Sequence, residues 1–355
     1  MRVLQLIDSL EAGGAERMAV NIANALSATI ERSYLCATRK EGHLKEFIDT
    51  SVSYLFLNKK SVLGIRSLIK LRNYIRKNKI TIIHAHSSSF FLAALLKITY
   101  PKVKVIWHDH FGNSDRVEHR PYFVLKQASY LFNAIISVNT KLVNWAKSTL
   151  NTKHIVFLAN FADTKNNLPS SISLSGKEGK RIVCLANLRP QKGHQTLLKA
   201  FEFLREDFPE WTLHLLGKTF DDPYEKEIRN IIGEKELPVY LYGSVTNVSA
   251  LLSICDIGVL SSYSEGLPLA LLEYGLSKLA IVVTDVGECK KVVFNEQNGI
   301  LVAPNKPEDF ANALRILISD KEKRLKKAQN FNRHIENNYT KEKFINKLMT
   351  IYEEA

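Results

Sequence analysis

Short apolar runs rich in β-branched residues alternate with longer segments of helical period along almost the whole chain. Residues 3–7, 33–38, 52–57, 80–84, 103–107, 134–138 and 155–158 read as strands in the first half. In the second half the strand-like runs are 181–186, 211–216, 239–243, the run ending at Leu260, and 279–284. Strands that alternate with helices predict parallel sheets covered on both faces, so the fold class is α/β. The segment 62–79 is helical, with Val62, Ile65, Leu68, Ile69, Leu71 and Ile75 on one side. Arg66, Lys70 and Lys77 share the opposite edge, a face for solvent or for a membrane. Between the halves the text turns polar, with Pro, Ser and Gly, as a linker does. The expected division is a first domain at 1–165, a linker at 166–180, a second domain at 181–338 and a last helix at 339–355.

At 355 residues the chain suits two domains, each with its own core. Cys36, Cys184, Cys255 and Cys289 are far apart, so neither a disulfide framework nor a zinc site is signalled. The N-terminus turns polar too soon for a secretory signal, and the longest apolar run, near 90–96, is too short to span a bilayer. The expected location is the cytoplasm. The net charge of +13 is one-sided: residues 1–165 hold 24 Lys and Arg against 11 Asp and Glu, while 166–355 hold 25 of each. So basic a first half expects an anionic membrane face, a phosphate-bearing substrate or nucleic acid. No nucleic-acid motif or aromatic-interleaved basic stripe appears, and nucleic acid is not the expected partner.

The second half is organised around Ser262-Tyr263-Ser264-Glu265-Gly266-Leu267-Pro268-Leu269-Ala270-Leu271-Leu272-Glu273, where strand, polar turn and helix meet at a carboxylate. Pro268 is expected in the first helical turn, where proline is tolerated. The opening amides of such a helix have no internal partner and suit an anion or a ring of hydroxyls. Glu265 stands just outside that end, and Glu273 is expected about two turns inside it. The bland alternative is a capping Glu265 and a Glu273 paired with a lysine. Arg189 and Lys192 lie three residues apart in the loop opening another helix, where two cations and free amides suit a diphosphate. A salt-bridged surface turn is the alternative.

Gly13 and Gly14 sit at the first strand-to-helix turn without completing the Gly-x-Gly-x-x-Gly fingerprint. His108 and His110 follow the fourth or fifth strand, at the sheet edge where open α/β sheets bind ligands. His84 and His86, after the preceding strand, read as structural or acceptor-side. Tyr242, Gly243 and Val245 form a strand-end loop whose backbone suits a nucleobase. No Asp-x-Asp cluster and no histidine and aspartate set at metal spacing stands out, so no metal or other cofactor is expected.

The spacing Glu265-x7-Glu273 resembles the signature of family-4 glycosyltransferases. Gly13-Gly14-Ala15-Glu16-Arg17 is similar to that family's N-terminal glycine loop. Arg189 to Gly193 is similar to its Arg-x-x-x-Lys-Gly motif with one intervening residue fewer. Asn160-Phe161-Ala162-Asp163 resembles an Asn-Gly-Val-Asp turn with Phe161 for glycine, and Gly217-Lys218-Thr219 stands where Gly-Asp-Gly is frequent. The resemblance covers most of 1–318 and implies the GT-B fold: two Rossmann-like parallel-sheet domains facing a central cleft, the last helix crossing back to the first. It implies that Glu265 with Gly266, Leu267, Pro268 and Leu269 holds a donor sugar and that Glu273 holds the ribose. Arg189 and Lys192 take the diphosphate, His110 approaches the sugar with His108 as second choice, and Gly13 and Gly14 face the donor.

The activity implied is retaining transfer of a hexose from a nucleotide sugar to a saccharide acceptor, on a polyprenyl diphosphate, for cell-surface polysaccharide. The enzyme would then work at the inner membrane face. A sugar-nucleotide 2-epimerase of the same fold and a non-catalytic sugar-nucleotide-binding subunit are the alternatives.

Overall fold

The computed structural model describes residues 1–112, 114–162, 173–245, 247–294 and 296–355. β1 (Arg2–Ser9), β2 (Arg32–Lys40), β3 (Ser53–Phe56), β4 (Ile82–His86), β5 (Lys104–Asp109), β6 (Ala134–Ser137) and β7 (Ile155–Phe157) form one sheet. Its order is β3-β2-β1-β4-β5-β6-β7. β8 (Arg181–Leu185), β9 (Thr212–Leu216), β10 (Val239–Gly243), β11 (Ile257–Leu260), β12 (Ala280–Thr284) and β13 (Ile300–Val302) form a second. Its order is β10-β9-β8-β11-β12-β13. Every pairing in both sheets is parallel.

Parallel strands need crossovers, and helices supply them. They are α1 (Gly14–Ser27), α2 (Ile65–Asn78), α3 (Phe90–Thr99), α4 (Phe123–Ala128), α5 (Thr140–Thr149), α6 (His194–Glu202), α7 (Pro223–Glu234) and α8 (Val248–Leu252). α9 (Leu269–Leu276), α10 (Cys289–Val292), α11 (Pro307–Ser319), α12 (Lys321–Asn338) and α13 (Lys341–Glu354) complete the set. Both sheets are doubly wound. The strand order reverses between β1 and β4 in the first and between β8 and β11 in the second, and beyond such switch points ligands bind.

The chain divides into two compact units, 1–161 with 341–355, and 162–340. α12 stays in the second unit, where Asn332 donates to the carbonyl of Gly275 on α9, and α13 belongs to the first. Phe161, the departure from the Asn-Gly-Val-Asp turn, is fully buried and packs against Phe344 of α13, the rings tilted at 44° with centroids 4.6 Å apart. Asp163 of that turn, and 166–172 of the expected linker, lie outside the described residues. Residues 174–176 are tied to the second unit, because the Arg181 guanidinium donates to the carbonyls of Leu174, Ser175 and Gly176.

Several boundaries differ from expectation. β4 runs on to His86 and β5 to Asp109, so His86 and His108 join His84 as strand residues, and His110 is the first residue past β5. Pro268 is the N-cap of α9 with extended backbone, not a first-turn residue, and Glu273 therefore lies about one turn inside the helix. The expected apolar side of 62–79 divides. α2 starts only at Ile65 and buries Ser67, Leu71 and Ile75, a stripe at i, i+4 and i+8, leaving Val62, Ile65 and Ile69 exposed.

Candidate functional site

In the second unit, the loops leaving β8 and β11 meet at the switch point. The Lys192 ammonium donates to Glu265 Oε1 at 2.6 Å, and the Ser262 hydroxyl donates to the same oxygen at 2.6 Å. Glu265 is only 5% exposed, and a carboxylate so enclosed needs polar partners of this kind. Two glycines allow the approach. Gly193 has φ +65°, and a Cβ there would lie 2.2 Å from the Ser261 carbonyl oxygen. Gly287 has φ +55°, and a Cβ there would lie 2.0 Å from the Glu265 carbonyl oxygen. The amide of Tyr263 donates to the carbonyl of Gln191, and the Ser261 hydroxyl to those of Lys192 and Gly193. The loop is thus a built structure, not a slack connection.

Arg189 is exposed, with its guanidinium 4.8 Å above the Phe220 ring, and Lys218 lies 5.5 Å from the same ring. Asn187 accepts from the amide of Lys218 and so joins the β8 and β9 loops. The departure at Gly217-Lys218-Thr219 therefore sets a further cation beside Phe220. His194 opens α6 fully buried, and burial pushes its pKa down to about 4. Its Nε2 has no hydrogen-bond partner among the described residues.

Glu273 is half-buried on α9. Leu269 and Ala270 open that helix, where backbone N–H groups precede any intrahelical acceptor. Gly266 accepts from the Glu288 amide, and Leu267 is buried. Tyr242, Gly243 and Val245 lie at the end of β10, the edge strand. The Tyr242 hydroxyl contacts His214 Nδ1 at 3.1 Å and accepts from the Ser175 amide at 3.1 Å.

In the first unit, Gly13 is the N-cap of α1 and Gly14 its first residue, just past β1. In the same unit β4, β5 and the residue just past β5 bring four imidazoles together. The register pairs His86 with His108, and side chains two apart on a strand share a face. His84 stacks on His86 at 4.6 Å and 19°, and His84 lies at 14° to His108. Burial pushes the pKa values of His84 and His110 down to about 3 and those of His86 and His108 well below the usual range, so all four rings are neutral at pH 7.

Hydrogen-bond chemistry then orders the protons. Gln5 Nε2 donates to the Tyr352 hydroxyl at 3.4 Å, which leaves that hydroxyl to donate to His84 Nδ1 at 2.6 Å. His84 is therefore protonated on Nε2 and donates to His108 Nδ1 at 3.1 Å. His86 Nε2 donates to Gln5 Oε1 at 2.8 Å, so its Nδ1 accepts from His110 Nε2 at 3.0 Å. The order leaves His108 with a buried Nε2–H, which has no partner among the described residues, and His110 with an unprotonated Nδ1.

His84, His86 and His108 also place ring nitrogens within 4.8 Å of one another, a metal-like grouping that linear spacing does not reveal. Geometry favours the hydrogen-bonded stack. An imidazole binds a metal in its own plane, and two rings stacked 4.6 Å apart direct their lone pairs side by side instead of at one point. Next to the stack, Asp109 holds the loop carrying His110. It is buried, which lifts its carboxyl above the usual range, and it accepts from Arg120 at 2.7 Å and from the Phe111 amide. Arg120 in turn lies over Trp107, Phe111 and Trp145.

The structure thus brings Lys192 to Glu265, and His108 and His110 to His84 and His86. Ser262, Lys218, His194, Gln5 and Tyr352 were missed as site residues. Ser262 stands three residues before Glu265 and was the most accessible to sequence reasoning.

Comparison with known proteins follows the same division. Residues 12–166 match the profile described as Glycosyltransferase Family 4, and 169–334 the profile described as Glycosyl transferases group 1. An uncharacterized glycosyltransferase of Haemophilus influenzae is 26% identical over 329 residues, 88% of each chain. The Escherichia coli protein named UDP-Gal:alpha-D-GlcNAc-diphosphoundecaprenol alpha-1,3-galactosyltransferase is 22% identical over 339 residues, 88% of this chain and 87% of its own. The crystal structure of Anabaena HepE in complex with UDP and glucose superposes with a TM-score of 0.84 at 18% identity, covering 100% of both chains. Its fold, like that of this chain, is two parallel-sheet α/β domains of the GT-B type.

Proposed function

Because the chain belongs to the family-4 glycosyltransferases, we propose that it moves a hexose-type sugar from a nucleotide diphosphate to a saccharide acceptor with retention of configuration. The observation that carries this reading is the Lys192–Glu265 pair at the β8/β11 switch point, beside the opening ends of α6 and α9. In the donor complex a phosphate oxygen replaces Glu265 at Lys192, and Arg189 grips the diphosphate from its perch on Phe220. Glu265, released, accepts from the sugar hydroxyls in the Gly266–Leu269 loop, while Glu273 holds the ribose. The loop of Tyr242, Gly243 and Val245 takes the base.

The acceptor hydroxyl attacks the anomeric carbon on the face the diphosphate leaves. The carbon–phosphate-oxygen bond breaks, the new glycosidic bond forms, and the departing phosphate takes the hydroxyl proton. Charge developing on the diphosphate is met by Arg189, Lys192 and helix amides, so the step needs no divalent cation. The name of the E. coli relative, with its acceptor on diphosphoundecaprenol, supports a polyprenyl-diphosphate-linked acceptor and a place in cell-surface polysaccharide synthesis.

Arg189→Ala is the clean test, because this exposed side chain can be removed without loss to the fold. Turnover of a nucleotide sugar is expected to fall on the order of 10²–10³-fold and to be insensitive to EDTA in the parent enzyme. A variant within two-fold of the parent removes the assignment. Conversion of the nucleotide sugar without any acceptor would indicate an epimerase instead.

A further inference from the structure

We propose that the apolar tip of α2, with the loop before it, inserts into an anionic bilayer and docks the first unit there. The proposal rests on the lipid-linked acceptor reading and gives it a location. Val62 and Leu63 precede the helix, and Ile65 and Ile69 open its outer side. They are 67%, 58%, 66% and 54% exposed. Scattered surface aliphatics are ordinary, but four exposed ones within eight positions concentrate apolar surface at one end of the helix, and such concentrations mark contact sites.

The surrounding charge selects the occupant. From Thr50 to His108 the chain contains eleven Lys and Arg and not one Asp or Glu. Lys60 and Arg66 flank the tip in exposed positions, and the outer side of α2 continues from Ile69 to exposed Arg76 and Lys77. An apolar tip with a cationic belt is the composition of an interfacial helix, whose cations are drawn to anionic headgroups while its aliphatics enter the acyl boundary. Two copies of this face would oppose cation to cation, so self-pairing is disfavoured. A nucleic acid would make no use of the aliphatics.

Topology sets the tip in a useful place. α2 follows β3 in an all-parallel sheet, so its first turn lies at the carboxyl edge of that sheet, the edge at which β4 and β5 end in His86 and Asp109. A bilayer held there runs beside the edge an acceptor on a lipid must reach.

Sedimentation with phosphatidylcholine vesicles, with and without phosphatidylglycerol, tests the proposal. Partition is expected to rise with phosphatidylglycerol and to fall with added salt. Ile65→Asp with Ile69→Asp should lower it about ten-fold or more, and Lys60→Glu with Arg66→Glu by about five-fold for each cation. Equal partition to both vesicle types, or an Ile65→Asp/Ile69→Asp variant that binds like the parent, overturns it. So does light scattering that finds a parent dimer and a monomeric aspartate variant, since a second copy then covers the patch. The UDP-induced rise in melting temperature, read on the same samples, separates the two readings. If it is retained while vesicles fail, only docking is lost. If it is absent while vesicles bind, docking stands and the donor reading falls.

Discussion

Lys192 and Arg189 illustrate how two cations of one loop differ in what they do for the protein. Lys192 is paired with a carboxylate that is 5% exposed, so Lys192→Ala takes the cation from a buried acid, and stability falls along with activity. Arg189 stands on an aromatic ring at the surface and carries little structural weight. In the first unit the corresponding residue is Tyr352, whose hydroxyl sets the proton order of the histidine stack through His84 Nδ1. Tyr352→Phe is expected to cost about 1–2 kcal/mol in urea unfolding. It should also shift the ring-nitrogen resonances of His84 and, through it, His108 in nitrogen-detected NMR. Ring nitrogens unmoved by the substitution would contradict the proton order given above.

The elements that hold the second-unit site are loops, and they are made rigid by close backbone approach. Gly287→Ala puts a Cβ 2.0 Å from the Glu265 carbonyl oxygen at a φ of +55°. A loss of roughly 2 kcal/mol or more and an abolished UDP-induced melting shift are expected. Gly179 has φ +80° but open space around it, so Gly179→Ala should show only backbone strain, about 1 kcal/mol, with the UDP shift intact. If both glycines respond alike, crowding against the Glu265 loop is not what matters. Similar reasoning explains α2, where the start of the helix at Ile65 decides which aliphatics face the core.

At the scale of the whole molecule, the histidine stack makes the first unit acid-sensitive. Its neutral rings resist protonation down to about pH 3 at His84 and His110, whereas an unfolded imidazole takes a proton near 6.5. Acid therefore favours the unfolded chain. The stability is complete above about pH 7 and is lost progressively below 6.5, by about 1.4 kcal/mol per ring at pH 5.5. The melting temperature of the first unit should fall steadily from pH 7 to pH 5. A flat profile over that range would show that these rings are charged in the folded protein. α13 belongs to this balance, because it supplies Tyr352 from the far end of the chain.

What could be read in one dimension was whatever depends on neighbours in sequence. The alternation of apolar runs and helical periods determined two parallel-sheet halves, the Glu265-x7-Glu273 spacing set one carboxylate before a helix and one within it, and the count of charges made the first half basic. Contacts between distant residues needed the fold. Lys192 meets Glu265 across 73 positions and Gln5 meets Tyr352 across 347, because parallel strand order and the return of α13 bring them together. No local pattern encodes strand register, so four histidines that stand apart along the chain became one stacked network. Nor does periodicity alone determine where a helix begins, and that start is what turned Ile65 and Ile69 out to the surface.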